Sequence, residues 1–190
     1  TVFLPDPWED NSPRGKWYLI KEYAKGNIPF DLPMVHKLNI CTTCKRCEQT
    51  CEVSLKMADE FLGAKPYFKE HGFSNAGLSA LRENVLNTGN FWGVEEEGVG
   101  WHTDDMRFKN AGEIGLWPGC WTQTISKNAA QNVAHLLNAA GIEPVDLGDN
   151  GSDICCGFYL FLGGYADDFE VRAIENIKRM NEAGVKKVLA

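Results

Sequence analysis

Seven cysteines carry most of the chemistry available to this sequence of 190 residues. They form two groups, with Cys41, Cys44, Cys47 and Cys51 in the first and Cys120, Cys155 and Cys156 in the second. An odd number of cysteines does not suit a closed disulfide framework, and the first residues lack the basic start and apolar stretch of a secretory signal. The spacing within each group instead indicates two different chemistries.

The first group has the spacing C-x2-C-x2-C-x3-C, which is typical of a [4Fe–4S] site. Iron–sulfur clusters prefer thiolate ligands, and three closely spaced cysteines wrap the backbone around the cluster. One more thiolate is then supplied from further along the chain. Zinc is the alternative metal, although zinc sites usually use two separated C-x2-C pairs.

Three residues within or beside the first group leave alternatives open. Glu52 follows Cys51 where the usual ferredoxin run has proline, and in two-cluster ferredoxins the fourth cysteine ligates the other cluster. Cys51 therefore ligates either its own cluster or a second one. Lys45 and Arg46 are either solvated surface residues or charges that offset the negative charge of the cluster and raise its potential.

The elements around the second group alternate between strand and helix. Apolar runs predict strands at 113–117, 143–147 and 185–189, and apolar residues at helical spacing predict helices over 123–140 and 166–183. This βαβαβ order builds a parallel sheet with right-handed crossovers. The apolar residues that indicate the two helices are Ala130, Val133, Leu136 and Leu137 in the first and Val171, Ile174, Ile177 and Met180 in the second.

The second cysteine group is placed by this predicted sheet. Cys120 follows the first strand, and Cys155-Cys156-Gly157 follow the second. Loops at the carboxyl ends of parallel strands converge on one crevice, so we expect the three thiols to meet there. The alternatives are that these cysteines are small buried hydrophobic residues or that the adjacent pair forms a disulfide switch.

Composition and charge exclude two classes of function. The chain has 19 basic and 26 acidic residues and a net charge of -7, which argues against a nucleic-acid coat. No apolar run approaches the roughly 20 residues of a membrane helix, so no membrane span is expected. We therefore expect no nucleic-acid partner. We expect the chain to lie in the cytoplasm, either free or held at the membrane surface by a partner subunit.

The second group resembles a known family. The spacing between Cys120 and the Cys155-Cys156-Gly157 motif resembles that of the CCG domain of heterodisulfide reductases. The same domain also occurs in the iron–sulfur subunits of glycolate and lactate oxidoreductases. The family pattern closes with a Cys-x-x-Cys, which would fall beyond Ala190. Residues 12–20 resemble the segment between the two ferredoxin motifs of the family, and residues 87–93 resemble a loop between its ferredoxin and CCG parts.

The resemblance implies an oxidoreductase of methanogenesis that works within a complex. Cys120, Cys155 and Cys156 would be the catalytic residues and would hold a non-cubane iron–sulfur cluster. There a small disulfide, such as that of coenzyme M and coenzyme B, is reduced with electrons relayed from the [4Fe–4S] cluster. The implied partners are a flavin, cytochrome b or iron–sulfur subunit.

Two rival functions and a domain division complete the sequence-based predictions. The chain could instead be the electron-transfer subunit of a glycolate or lactate dehydrogenase, or a zinc-stabilised interaction module. The predicted fold is α/β plus α. A helical ferredoxin-like [4Fe–4S] module spans 1–88, a connecting loop spans 89–110, and a CCG domain truncated at its C-terminal end spans 111–190.

Overall fold

The computed structural model describes residues 6–95, 100–148 and 155–190. The chain divides into two compact units, Thr1–Ser74 and Asn75–Ala190. None of the helices in the described ranges is both long enough and apolar enough to cross a membrane.

The first unit is helical. Ser12 begins its first long helix, because the Ser12 Oγ accepts a hydrogen bond from the backbone N–H of Gly15 at 2.9 Å and Pro13 needs no acceptor. This confirms the helix start that Ser12-Pro13 indicates. After a short 3₁₀ helix at Glu9–Asn11, the helices are α1 Pro13–Ala24, α2 Leu32–Asn39, α3 Arg46–Gln49, α4 Met57–Gly63 and α5 Lys65–Glu70.

The core of the first unit lies beside the first cysteine group. Five buried side chains form it, namely Met34, Val35, Leu38, Phe61 and Phe68, and Cys41 packs against them. Phe30 lies at the centre of an aromatic cluster, with ring centroids 5.2 Å from Tyr23 and 5.6 Å from Phe68. This packing holds α2 against α5 and so positions the loop that carries the cysteines.

The second unit contains a three-stranded parallel sheet in the order β2-β1-β3. Gly115 of the central strand pairs with Val145 on one side and Val188 on the other. The predicted alternation of parallel strands and helices is confirmed, with shorter strands and one break in the first helix. The elements are α6 Ala76–Thr88, β1 Ile114–Leu116, α7 Gly119–Thr124, α8 Lys127–Ala139, β2 Val145–Asp146, α9 Phe158–Leu162, α10 Ala166–Glu182 and β3 Lys187–Leu189.

Helix α6 belongs to the second unit, whereas the predicted division at residue 88 assigns it to the first module. The Ser79 hydroxyl lies 2.7 Å from the Tyr165 hydroxyl, and Arg82 pairs with Asp168 at 2.5 Å. These bonds join α6 to α10 across 86 residues of sequence. Within the predicted connecting loop, residues 96–99 lie outside the described residues.

In the two long helices beside the sheet, only part of the apolar set that predicts each helix faces the interior. On α8, Ala130 and Ala134 are buried while Leu136 is 71% exposed. On α10, Asn176 is buried while Ile177 is 56% exposed. Both helices are present as predicted, but on α10 the polar residue Asn176 is buried while the apolar residue next to it is exposed.

Candidate metal centres

The second cysteine group assembles at the carboxyl ends of two neighbouring strands. Cys120 lies in the first turn of α7, which follows β1, and Cys155 and Cys156 precede α9. The three thiols lie close enough together that Cys155 shifts the pKa of both Cys120 and Cys156. The structure therefore brings together the three cysteines that the sequence placed at one edge of the sheet.

The three thiols differ in burial and in acidity. Cys120 and Cys155 are buried, whereas Cys156 is exposed. The Cys155 side chain lowers the pKa of Cys120, and the Cys120 side chain raises the pKa of Cys155 to about 11. The neighbouring Cys155 side chain raises the pKa of Cys156. Cys120 is therefore the first of the three to become a thiolate.

The backbone of Cys155 is held from two directions. Its N–H donates to the carbonyl oxygen of Gly89 at 3.0 Å, just after the end of α6. Its carbonyl oxygen accepts a hydrogen bond from the side-chain amide of Asn176 at 3.1 Å, in the middle of α10. Both polar groups are thus satisfied inside the unit, which fixes the direction of the buried thiol.

Gly157 completes the Cys-Cys-Gly motif for a conformational and a steric reason. Its φ is 81°, in the left-handed region that favours glycine. A Cβ at this position would lie 3.0 Å from Cδ2 of Phe169. The glycine therefore lets the chain turn into α9 while α10 packs closely against the motif, and its N–H lies 3.4 Å from the Cys155 Sγ.

Aromatic rings cover one side of this thiol group. Phe91 and Cys120 belong to the same buried cluster, and Cys120 also has a hydrogen bond to the backbone of Phe91. The Phe91 ring lies 4.9 Å from Tyr159 and 6.2 Å from Trp121, measured between centroids. Phe91 lies within the 87–93 loop that resembles a loop between the ferredoxin and CCG parts of the family. The rings exclude water from the Cys120 side of the group.

Three of the first four cysteines line one cavity in the first unit. Cys41, Cys44 and Cys47 surround a space of about 230 Å³, far more than the ~10–15 Å³ that one water molecule needs. Cys51 does not line it, and its Sγ instead lies 3.5 Å from the backbone nitrogen of Leu55. The structure thus groups three of the four predicted residues and leaves the fourth apart.

The loop around this cavity has an unusual backbone. Thr43 has a φ of 53° and Lys45 a φ of 55°, both in the left-handed region that side chains other than glycine rarely adopt. Each such residue costs on the order of 1–3 kcal/mol unless its surroundings impose the conformation. These two residues flank Cys44, so the strain lies within the loop that carries the thiols.

Two thiols at the cavity have opposite pKa shifts. A hydrogen bond with the backbone of Arg46 lowers the pKa of the exposed Cys44. Burial raises the pKa of Cys47. Arg46 is exposed, and Lys45 is paired with Asp59 at 2.9 Å with both side chains about half exposed. These basic residues therefore fit the solvated alternative.

Two lysines that the sequence analysis did not single out are buried near the same cysteines. Lys16 is 3% exposed and lines the cavity, and Lys65 is 5% exposed and donates a hydrogen bond to Asn39. Burial lowers the pKa of Lys65 to about 8, while the charge of Cys41 acts in the opposite direction. No local sequence signal distinguishes Lys16 from Arg14, which carries the same charge in the first turn of α1 but is exposed.

The donor sets of both units consist of soft thiols, which are the ligands that iron–sulfur groups prefer. Among the described residues, no three His, Cys, Asp or Glu side chains converge closely enough to hold one ion. The thiols of the first unit instead stand around a cavity, and those of the second form a chain with Cys155 in the middle. Soft thiol donors spread around a space suit a group of several iron and sulfur atoms.

A comparison with known families agrees with the second site. Residues 114–190 match the model of the CCG cysteine-rich domain, which is found in heterodisulfide reductase-like and related iron–sulfur proteins. The match begins at the first residue of β1 and includes Cys120, Cys155 and Cys156. No curated protein and no solved structure matches the chain. The CCG domain indicates an iron–sulfur electron-transfer role.

Proposed function

We propose that this chain is the iron–sulfur subunit of a heterodisulfide reductase-like complex and that it acts as an oxidoreductase on a small disulfide. The observation that carries the proposal is the convergence of Cys120, Cys155 and Cys156, whose pKa values shift one another, within the region that matches the CCG domain. These three cysteines would hold a non-cubane iron–sulfur cluster. A flavin, cytochrome b or iron–sulfur subunit would deliver the electrons.

Cys41, Cys44 and Cys47 would hold a [4Fe–4S] cluster in the ferredoxin-like first unit. Support comes from their shared cavity of about 230 Å³. The position of Cys51 outside that cavity favours a role toward a second cluster. When bound, such clusters supply one-electron transfer, and the protein tunes their potential through charge, hydrogen bonds and burial.

The residues around the second site suit the reduction of a disulfide. Cleavage of RS–SR takes up two electrons and two protons and yields two thiols. The exposed Cys156 marks the open side of the site, while Phe91 and Trp121 shield the side of Cys120. Substrate would therefore approach from the Cys156 side, and the aromatic rings would keep water from the opposite side.

Anaerobic reconstitution of the full chain with ferrous iron and sulfide tests the proposal. We expect iron and acid-labile sulfide in the purified chain and two distinct EPR signals, of which one responds to coenzyme M thiol. With a reduced viologen dye as donor, the disulfide of coenzyme M and coenzyme B should be converted to free thiols. Cys156→Ser should abolish this turnover and the thiol-responsive signal but keep the other signal.

The alternatives predict different results in the same experiment. Loss of both signals in Cys156→Ser would show that the two cysteine groups do not form separate sites. Clusters that exchange electrons with a flavin donor and a quinone, without response to the disulfide, would support the glycolate or lactate dehydrogenase subunit. Binding of zinc with no iron would leave only the interaction module.

A further inference from the structure

Lys16 is a buried cation without a partner of its own in the described part of the first unit. The residue is 3% exposed, and no acceptor or carboxylate among residues 6–95 lies within hydrogen-bond or ion-pair distance of its ammonium, which faces the cavity. Asp10 attracts it only weakly and is paired with Lys37 at 3.2 Å. An uncompensated buried charge is strongly unfavourable, so a chain that keeps one here needs a negative partner.

The surroundings of Lys16 indicate where that negative partner lies. Lys16 lines the 230 Å³ cavity together with Cys41, Cys44 and Cys47. Burial lowers the pKa of Lys16, and the charges of Cys41 and Cys47 are the largest effects that oppose this shift. The attraction therefore comes from the side of the cavity where the thiolates stand.

We propose that Lys16 is the internal counter-cation of the group bound by Cys41, Cys44 and Cys47. The inference rests on the proposed function, because it takes a cluster with thiolate ligands as the negative partner. Such a cluster carries net negative charge and becomes more negative when reduced. A buried ammonium beside it stabilises the reduced form more than the oxidised form and so raises its reduction potential.

Lys45 is the matched comparison within the same cavity. It is adjacent to Cys44 in sequence and carries the same charge, but it is about half exposed and already paired with Asp59 at 2.9 Å. Solvent and the carboxylate screen its charge, so it contributes little to the potential. Burial rather than nearness in sequence therefore distinguishes the two lysines.

The test uses the full chain in three variants, Lys16→Met, Lys16→Arg and Lys45→Met, before and after anaerobic loading with iron and sulfide. Loaded Lys16→Met should have a lower midpoint potential than the wild type, or lose most of its iron. Lys16→Arg should keep a potential near that of the wild type, and Lys45→Met should shift it much less than Lys16→Met. In the metal-free chain, Lys16→Met should raise the melting temperature because the uncompensated charge is gone.

The outcomes separate this inference from the proposed function. If the wild type loads iron and Lys16→Met has the same iron content and potential, Lys16 is not the counter-cation although the cluster is present. A lower melting temperature for metal-free Lys16→Met would also overturn the inference, since it would mean that the ammonium is stabilised without the cluster. A wild-type chain that binds no iron would overturn the proposed function and this inference with it.

Discussion

The side-chain amide of Asn176 donates a hydrogen bond to the carbonyl oxygen of Cys155 at 3.1 Å, and both residues are buried. This bond ties the middle of α10 to the cysteine pair. Asn176 is seven residues after Phe169, which packs against the buried cluster that contains Cys155. The buried face of α10 therefore contacts the Cys-Cys-Gly motif through Asn176 and Phe169, and not through the apolar residues that predict the helix.

Replacement of this amide should destabilise the second unit. Asn176→Ala removes the donor and leaves the Cys155 carbonyl oxygen unsatisfied, at a cost of about 1–3 kcal/mol. Urea denaturation of the metal-free chain measures the change in the free energy of unfolding. Asn181→Ala, on an exposed position of the same helix, should change it by no more than about 0.5 kcal/mol. Equal effects of the two variants would contradict a structural role for the bond.

A pair of glycine variants tests the steric account of the Cys-Cys-Gly motif. Gly157 and Gly141 both have positive φ, 81° and 75°, but only Gly157 has a side chain at 3.0 Å from its ideal Cβ position. Gly141→Ala should lower the free energy of unfolding by on the order of 1 kcal/mol, because alanine is strained at this positive φ. Gly157→Ala should lower the free energy of unfolding further, because the Phe169 side chain must also move. Similar melting temperatures for the two variants would show that crowding at Gly157 is unimportant.

Alkylation rates should distinguish two cysteines of the first cavity. The pKa of Cys44 is lowered by its backbone hydrogen bond, whereas burial raises that of Cys47. Because the thiolate is the reactive form, iodoacetamide should modify Cys44 first at pH 7 in the reduced, metal-free chain. The difference should narrow as the pH rises and Cys47 also ionises. Peptide mass spectrometry follows both sites, and faster labelling of Cys47 at pH 7 would contradict the assignment.

Lys65 should make the stability of the metal-free chain depend on pH. Its pKa is about 8 in the folded chain, below the ordinary lysine value of ~10.4. Between these values the unfolded chain binds more protons, so the free energy of unfolding rises with pH, by up to roughly 3 kcal/mol. This contribution is absent below about pH 8, where both states are protonated.

Chemical denaturation at several pH values, with the cysteines kept reduced, checks this prediction. Lys65→Met should lose the rise in stability above pH 8 and should be more stable than the wild type at pH 7. Lys69→Met, on the same helix but exposed, should retain the rise. A rise of equal size in Lys65→Met would mean that other groups cause it.

Local spacing was enough to predict the two cysteine groups and the parallel order of the second unit. Cysteines at intervals of three and four residues can reach one site through a single loop, whatever surrounds them. Parallel strands joined by helices have right-handed crossovers, which leaves few possible topologies for the sheet. The expectation that Cys120 and Cys155 lie close together followed from this restriction. The CCG match extends over the same residues.

Tertiary packing alone decided the environment of those cysteines. Val171 and Ile174 are apolar at helical spacing, yet they are exposed, and Asn176 is buried because its amide bonds to a carbonyl 21 residues away. Lys16 lies 25 residues before Cys41 in the sequence, and only the packing of α1 brings its ammonium to the cavity. Burial and charge depend on contacts between distant segments, and no local pattern encodes them.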